Sequence, residues 1–160
     1  MGDSKLTFSL ELPDQPEVVA LIDALDAWQT VLYPAESHHG VGLDVLLQPN
    51  VLFAVARDAN GKAVACGAVV LREEYGELKR MYVQPALRGR GTGRQLLMFL
   101  EEQAQDRGCS RMRLETGVRQ PEALRLYGSS GYFLRPPFGE YSEDPHSVYM
   151  EKQLGPGGAL

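Results

Sequence analysis

The chain has 160 residues, of which 44% are hydrophobic and 23% charged, and these proportions are ordinary for a globular protein. Its length suits one domain, which we place at residues 1–154, with residues 155–160 as a flexible tail. The formal net charge of -5 argues against nonspecific nucleic-acid binding, which needs many phosphate-neutralising Lys and Arg side chains. No apolar run approaches the ~20 residues of a membrane helix, so no membrane association is expected.

The two cysteines, Cys66 and Cys109, have no second pair beside them and no histidine at metal-ligand spacing. We therefore expect reduced, structural thiols and no metal site. The segment Met-Gly-Asp-Ser-Lys-Leu at the start lacks the apolar stretch of a signal peptide, so a cytoplasmic location is expected.

The first half of the chain predicts a strand, a long helix, a short helix and a β-hairpin. Pro16 suits a first helical position, and the apolar side chains after it recur at the 3.6-residue period of an amphipathic helix. We assign that apolar stripe, Trp28 included, to core packing. The hairpin is predicted by Asn60-Gly61, because this dipeptide tolerates the positive φ of a tight turn. The predicted bounds are 5–12 for the first strand, 16–32 and 43–47 for the helices, and 51–57 and 62–71 for the hairpin strands.

The second half predicts strands and helices in alternation, so that the whole chain is typical of a mixed α/β layer fold. Gly108 and Gly131 end the two helices, and Pro121 begins the second of them. The predicted bounds are 77–83, 111–116, 132–134 and 147–152 for the strands, and about 91–107 and 121–131 for the helices.

The junction between the strand at 77–83 and the following helix is rich in glycine and in positive charge. Gly89, Gly91 and Gly93 let successive backbone N–H groups turn toward one anion at the positive end of a helix. From residue 78 to residue 100 there is no Asp or Glu. This coincidence favours a phosphate-binding site over a merely solvated basic face. The cations in the segment are Lys79, Arg80, Arg88, Arg90 and Arg94.

Two common phosphate-binding loops are excluded because the sequence lacks residues that their motifs require. A dinucleotide fingerprint that begins at Gly89 would need glycine where Arg94 stands, and no Gly-x-x-x-x-Gly-Lys-[Ser/Thr] sequence occurs. The remaining pattern is Val83-x-Pro85-x-x-Arg88-Gly89-x-Gly91-x-Gly93. It closely resembles the pyrophosphate-binding motif of the GNAT superfamily of acetyl-CoA-dependent N-acetyltransferases.

A second segment extends the resemblance, which covers roughly residues 51–153. Residues 122–132 read Glu-Ala-Leu-Arg-Leu-Tyr-Gly-Ser-Ser-Gly-Tyr and are similar to the family's Ala-x-x-Leu-Tyr-x-x-x-Gly-Phe segment. Gln120 stands where the family often has an Asn that helps to hold the cofactor, and Tyr132 stands where it has Phe. Two motifs in order and at suitable spacing identify the chain as a member.

The resemblance implies both a fold and a cofactor. The fold is a mixed, mostly antiparallel central sheet of six or seven strands flanked by helices. Its central parallel strands, at 77–83 and 111–116, splay apart and admit the pantetheine arm of acetyl-CoA. The implied cofactor contacts are Met81, Val83, Arg88, Gly89, Arg90, Gly91, Thr92, Gly93, Arg94, Gln120 and Tyr127.

Acetyl transfer to an amine needs a proton acceptor and a proton donor. An amine of pKa ~10.4 is protonated at pH 7, and presenting it neutral costs about 4 to 5 kcal/mol. The resemblance implies Glu77 as the acceptor and Tyr127 as the donor to the departing thiolate. At ~3.3 Å per residue, Glu77 lies about 13 Å along the strand from Met81, so it would act through water. The rival proton acceptors are Glu115, Glu36, His38 and His39.

Both assignments have a structural alternative. Glu77 would otherwise form an ion pair with Lys79 or Arg80, and Tyr127 would pack beside Leu124 on its helix.

Residues 33–40 fall where the family builds its acceptor wall, with Phe138, Glu140 and Tyr141 as the opposite wall. The predicted function is N-acetylation of a primary amine on a small molecule, peptide or protein, by direct attack through a ternary complex. A noncatalytic acyl-CoA-binding or sensing domain is the alternative. The sequence leaves the acceptor and the oligomeric state open, a homodimer included. The candidate acceptor-binding residues are Tyr33, Glu36, His38, Glu115 and Tyr141.

Overall fold

The structure is a computed structural model that describes residues 5–37 and 41–155, without the side chain of Glu36. The described residues form seven strands and four α-helices. The strands are β1 (Thr7–Leu10), β2 (Val51–Arg57), β3 (Ala63–Leu71), β4 (Gly76–Val83), β5 (Arg111–Gly117), β6 (Phe133–Arg135) and β7 (Ser147–Gln153). The helices are α1 (Pro16–Leu32), α2 (Leu43–Leu46), α3 (Thr92–Asp106) and α4 (Pro121–Ser129).

All seven strands belong to one sheet, in the order β1-β2-β3-β4-β5-β7-β6. β4 and β5 pair in parallel, and the other five neighbouring pairs are antiparallel. The predicted mixed, mostly antiparallel sheet of six or seven strands is thereby confirmed. No helix among the described residues is long and apolar enough to cross a membrane.

Each face of the sheet carries its own apolar cluster. Alternate residues of β2 belong to different clusters, because successive side chains of a strand point to opposite faces. Leu52 and Ala54 pack with the apolar stripe of α3, whereas Phe53 and Val55 pack with that of α1. The two helices therefore lie on opposite faces of the sheet and flank its centre.

The parallel pair is joined at one end alone. Gly76–Leu78 of β4 pairs with Met112–Leu114 of β5, and the recorded pairing of the two strands stops there. β5 continues alongside β7 as far as Gly117. The splayed geometry that the resemblance implied is thus present, and the edge of β4 beyond Leu78 is left without β5 as a partner.

A β-bulge in β4 lies at the point of separation. Between the pairs Ala68–Lys79 and Cys66–Tyr82, two residues of β4 stand opposite Gly67 alone. One of the two, Arg80, has a φ of 59°, in the left-handed region that non-glycine residues rarely adopt. A bulge bends its strand and re-aims the side chains that follow, so β4 turns away from β5 here.

Candidate active site

A cavity of about 530 Å³ opens where β4 and β5 separate. The diverging strands form its middle, and the glycine loop with α3 and α4 lines one part of it. α1, the segment after it and the loop before β7 line another part. The lining residues from the strands and α4 include Leu78, Met81, Val83, Leu114, Glu115, Thr116, Gln120, Leu126 and Tyr127, and those from α1 and the two loops include Trp28, Gln29, Tyr33, Ser37 and His146.

The glycine loop lines the cavity at the point where it leads into α3. Gly89 and Gly91 have φ values of 80° and 82°, which a side chain would strain, and α3 begins directly after them. A Cβ on Gly93 would lie 3.3 Å from Leu126 of α4, so this glycine permits close packing of two helices. The positive end of a fifteen-residue helix and a glycine-rich turn therefore lie at the same part of the cavity.

Two arginines of this loop line the cavity without a carboxylate partner among the described residues. Arg94 donates from Nη2 to Ser129 Oγ at 2.6 Å. Arg88 donates from Nε to the carbonyl of Val83 at 2.9 Å. Because no described carboxylate neutralises them, these two charges make this part of the cavity suited to an anion.

Tyr127 forms part of the cavity wall from α4, with 6% of its surface exposed. Its ring meets that of Tyr132 edge-on, with centroids 5.8 Å apart, and its hydroxyl makes no hydrogen bond to the described residues. Burial raises the pKa of Tyr127, and the negative charge of Glu115 raises it further. The phenol is therefore protonated at neutral pH and can act as a proton donor.

Glu115 brings a carboxylate from β5 into the cavity wall. Ser147 donates from Oγ to its Oε2 at 2.7 Å. The pKa of Tyr33 is raised by burial above all and also by the Glu115 charge, against the lowering effect of the Arg119 N–H. Since Glu115 influences both Tyr33 and Tyr127, it lies within electrostatic reach of two different walls of the cavity.

Tyr33 fixes the end of α1 to the end of β5. Its hydroxyl accepts a hydrogen bond from the Arg119 N–H at 3.0 Å and donates to Gln120 Oε1 at 3.2 Å. The same Gln120 oxygen accepts the N–H of Gly117. Gln120, a predicted cofactor contact, thus lines the cavity while its amide oxygen stabilises the turn that leads into α4.

Glu77, the predicted proton acceptor, does not line the cavity. Its side chain is 3% exposed and accepts hydrogen bonds from Arg72 Nη2 at 3.0 Å and Tyr141 Oη at 2.6 Å, with Lys79 Nζ at 3.2 Å. Burial raises the pKa of Glu77, but the Lys79 charge and the hydrogen bonds outweigh it and hold the pKa below its ordinary value. A carboxylate bound by two cations is a weak proton acceptor, and this arrangement contains the Lys79 ion pair that was its structural alternative.

The cavity brings together most of the predicted site residues. Arg90, Thr92 and Tyr141 are outside its lining, as is Glu77. Arg90 is exposed, Thr92 is buried in the first turn of α3, and Tyr141 is held by Glu77 and Lys79. His38, His39 and the side chain of Glu36 lie outside the described residues, as does the predicted tail apart from Gly155. The predicted residues in the lining are Tyr33, Met81, Val83, Arg88, Gly89, Gly91, Gly93, Arg94, Glu115, Gln120 and Tyr127.

Sequence reasoning did not find three aromatic residues of the lining, which are Trp28, Tyr82 and His146. Trp28 packs against the α1 cluster as predicted, but it also faces the cavity. His146 comes from the loop before β7, and its ring meets Tyr33 edge-on with centroids 6.2 Å apart. Neither Trp28 nor His146 carried a local sequence signal for the cavity.

Metal ligands are not grouped anywhere in the described part of the chain. Residues 5–37 and 41–155 contain no cluster of three or more His, Cys, Asp or Glu side chains that would hold an ion.

Comparison with known proteins assigns the family. The model of the acetyltransferase (GNAT) family matches residues 12–132 of the chain. The chain belongs to the GNAT family. The predicted membership is confirmed, and this GNAT protein is an enzyme, an acyltransferase.

Similar proteins match this GNAT enzyme over nearly its whole length. IAA acetyltransferase of Azospirillum brasilense is 46% identical over 151 residues, which cover 93% of this chain and 98% of that protein. A crystal structure from Klebsiella pneumoniae, provisionally described as an acyl-CoA N-acyltransferase, is 41% identical with a TM-score of 0.80 and covers 93% and 97%. The PaiA N-acetyltransferase of Thermoplasma acidophilum in complex with coenzyme A shares the fold at 15% identity, with a TM-score of 0.71 and 93% and 99% coverage.

We predict that Gly117→Ala damages the wall formed by Tyr33. A Cβ at this position would lie 1.8 Å from the Tyr33 hydroxyl and 2.2 Å from its Cζ, so the ring must move and lose its hydrogen bonds. We expect the free energy of unfolding, measured in urea, to fall by about 1–3 kcal/mol. Gly128→Ala on α4 is the control, because a Cβ there meets nothing within 4 Å. Equal stability of both variants would contradict the packing described.

Proposed function

We propose that this GNAT enzyme moves an acetyl group from acetyl-CoA to a primary amine of a small molecule or peptide, by direct attack through a ternary complex. The observation that carries the proposal is one cavity that joins three features. These are an anion site at the glycine loop, the open edge of β4, and a wall that contains Glu115 and Tyr127. A donor with a diphosphate, an extended amide-bearing arm and a thioester needs those features together.

The described residues fit coenzyme A by their chemistry. Arg88, Arg94 and the amides that follow Gly89 supply donors for a diphosphate, and no described carboxylate competes for them. The edge of β4 beyond Leu78 offers backbone groups to the amides of pantetheine. The resemblance to a protein of the same fold that binds coenzyme A supports this placement.

Backbone N–H groups of β4 also suit the charge that develops during transfer. A thioester carbonyl becomes an oxyanion when an amine attacks it, and N–H groups already aimed at that oxygen lower the barrier. The bulge at Arg80 and Met81 turns this part of β4 away from β5, so its amides can serve here rather than in the sheet.

As the acceptor of the proton that the amine loses, we favour Glu115 over Glu77. Glu115 lines the cavity, and its negative charge attracts the ammonium form of the acceptor, whose proton then leaves through water. Glu77 lies outside the lining and is neutralised by Arg72 and Lys79. We propose that Glu77 positions Lys79 and Tyr141 beside the cavity instead. Tyr127 supplies the proton to the departing thiolate.

Binding and turnover test the function directly. Calorimetry with CoA should register binding, and acetyl-CoA with a panel of primary amines should release free thiol. Arg88→Glu should abolish CoA binding, whereas Arg107→Glu, with the same charge change at the exposed end of α3, should not. CoA binding without amine-stimulated thiol release would favour a sensing domain, and absence of CoA binding by folded protein would refute both.

We predict that Tyr127→Phe lowers kcat by roughly 10-fold while CoA affinity stays within about threefold of that of the wild type. The loss is smaller than the ~100-fold or more typical of a general acid, because a thiol of pKa ~8.5 is already a tolerable leaving group. Steady-state kinetics and calorimetry separate the two effects. Tyr132→Phe, which removes a hydroxyl bonded to Glu101 outside the cavity, should leave kcat unchanged. If Tyr127→Phe also leaves kcat unchanged, Tyr127 has no part in the chemistry.

We predict that Glu115→Gln affects catalysis and that Glu77→Gln affects stability. Glu115→Gln should lower kcat/KM for the amine by about 10- to 100-fold, the usual value of a hydrogen bond to a charged group. Glu77→Gln should change kcat/KM little but weaken the fold, because it leaves Lys79 and Arg72 without their buried counterion.

The pH dependence of stability supplies a second check on Glu77. The folded-state pKa of Glu77 is depressed, so its stabilising contribution is present above the ordinary glutamate pKa of ~4.3 and is lost as pH falls through the folded value. In urea titrations from pH 7 to pH 3, the free energy of unfolding should therefore fall less for Glu77→Gln than for the wild type.

If Glu77→Gln loses turnover while Glu115→Gln keeps full activity, Glu77 and not Glu115 is the proton acceptor.

A further inference from the structure

Arg88 lies over two aromatic rings from different elements. Its guanidinium carbon lies 4.8 Å from the ring centroid of Trp28 on α1 and 5.3 Å from that of Tyr82 on β4. Its Nε is fixed by the Val83 carbonyl. The side chain therefore has one defined orientation, although it belongs to a loop.

The remaining N–H donors of Arg88 make no hydrogen bonds to the described residues. An arginine carries five N–H donors, and the four on Nη1 and Nη2 make no hydrogen bond to the described residues. Arg80, another arginine of the same lining, differs because it bonds to Asp26 and to the Val41 carbonyl. Of these two cations, Arg88 is thus the one whose charge the described residues leave available.

Aromatic stacking suits a guanidinium that must bind an anion. A cation–π contact of the stacked kind engages the face of a planar guanidinium, whereas its N–H donors lie at the edge, where phosphate oxygens can approach. Stacking also removes rotamer freedom before the ligand arrives, so less is lost on binding. An ion pair with a carboxylate would hold the side chain equally well but would consume the donors.

We propose that Trp28 is a positioning residue for the cofactor, which holds Arg88 with its N–H edge toward the diphosphate of CoA. This inference rests on the proposed function, since it assigns Arg88 to that ligand. Trp28 acts through Arg88 and belongs to α1, the helix that also brings Tyr33 to the cavity.

A double-mutant cycle tests the proposal by CoA calorimetry. Trp28→Leu should weaken CoA binding about two- to fivefold, the value of a partly exposed cation–π contact, with kcat at saturating acetyl-CoA little changed. Arg88→Ala should weaken it about 10-fold or more. The double variant should bind no more weakly than Arg88→Ala alone, because Trp28 has nothing left to position. Additive losses would overturn the inference.

Matched variants separate positioning from packing. Phe99→Leu removes a half-buried aromatic that contacts Phe8, remote from the cavity, and should leave CoA binding unchanged. Trp28→Phe should restore most of the affinity lost in Trp28→Leu. If Trp28→Leu does not fold, Arg88→Lys takes its place, since lysine keeps the charge but lacks both the planar face and the forked N–H edge. Wild-type affinity in Arg88→Lys would also overturn the proposal.

Fluorescence gives a readout that a packing role would not produce. Trp28 is the single tryptophan of the chain, so its emission reports on the stack. Inorganic pyrophosphate should change that emission in the wild type and leave it unchanged in Arg88→Ala. If wild-type protein does not bind CoA, the proposed function fails; if it binds CoA but pyrophosphate leaves the emission unchanged, this inference alone fails.

Discussion

The end of pairing between β4 and β5 is the constraint on which the rest of the structure depends. The edge of a strand carries N–H and C=O groups that need partners, and beyond Leu78 β5 no longer supplies them to β4. The bulge at Arg80 and Met81 sets the direction in which that edge turns. Two helices on opposite faces hold the diverging strands in place, so the gap is a fixed part of the fold.

Charge is distributed differently in the site and in the sheet around it. Glu77 and Glu151 each bond to two cations, which keeps these buried carboxylates ionised at little cost. The cavity lining instead contains Arg88 and Arg94, which have no carboxylate partner among the described residues. The fold thus pairs Glu77 and Glu151 with cations internally and leaves these two arginines of the glycine loop without a described counterion.

The sequence predicted the elements well because their signals are local. Pro16 and Pro121 begin helices, and the Asn-Gly turn joins two strands whose bounds differ from prediction by one residue at most. The conformation of the glycine loop was also readable, since glycine is the residue that most readily adopts the positive φ values found at Gly89 and Gly91. β1 is shorter than predicted, because the polarity pattern extends past the residues that pair with β2.

Contacts between distant parts of the chain were not readable. Spacing placed Glu77 along its strand but not in relation to Arg72 and Tyr141, whose side chains enclose it. The ring of Trp28 meets Arg88 through the arrangement of α1 on the sheet, and His146 meets Tyr33 across 113 residues. Such juxtapositions follow from tertiary packing, which a single sequence does not encode locally.

Under the proposed function, the glycine loop offers its anion main-chain N–H groups, which are the same whatever side chains stand beside them. Apart from Gly89 and Gly91, whose φ values exclude most residues, and the two arginines Arg88 and Arg94, the loop can therefore tolerate substitution. The opposite wall, with Tyr33, Ser37 and His146, presents side chains alone. Under the proposed function, divergence among descendants of this gene would alter the amine that is chosen long before it altered the acetyl donor.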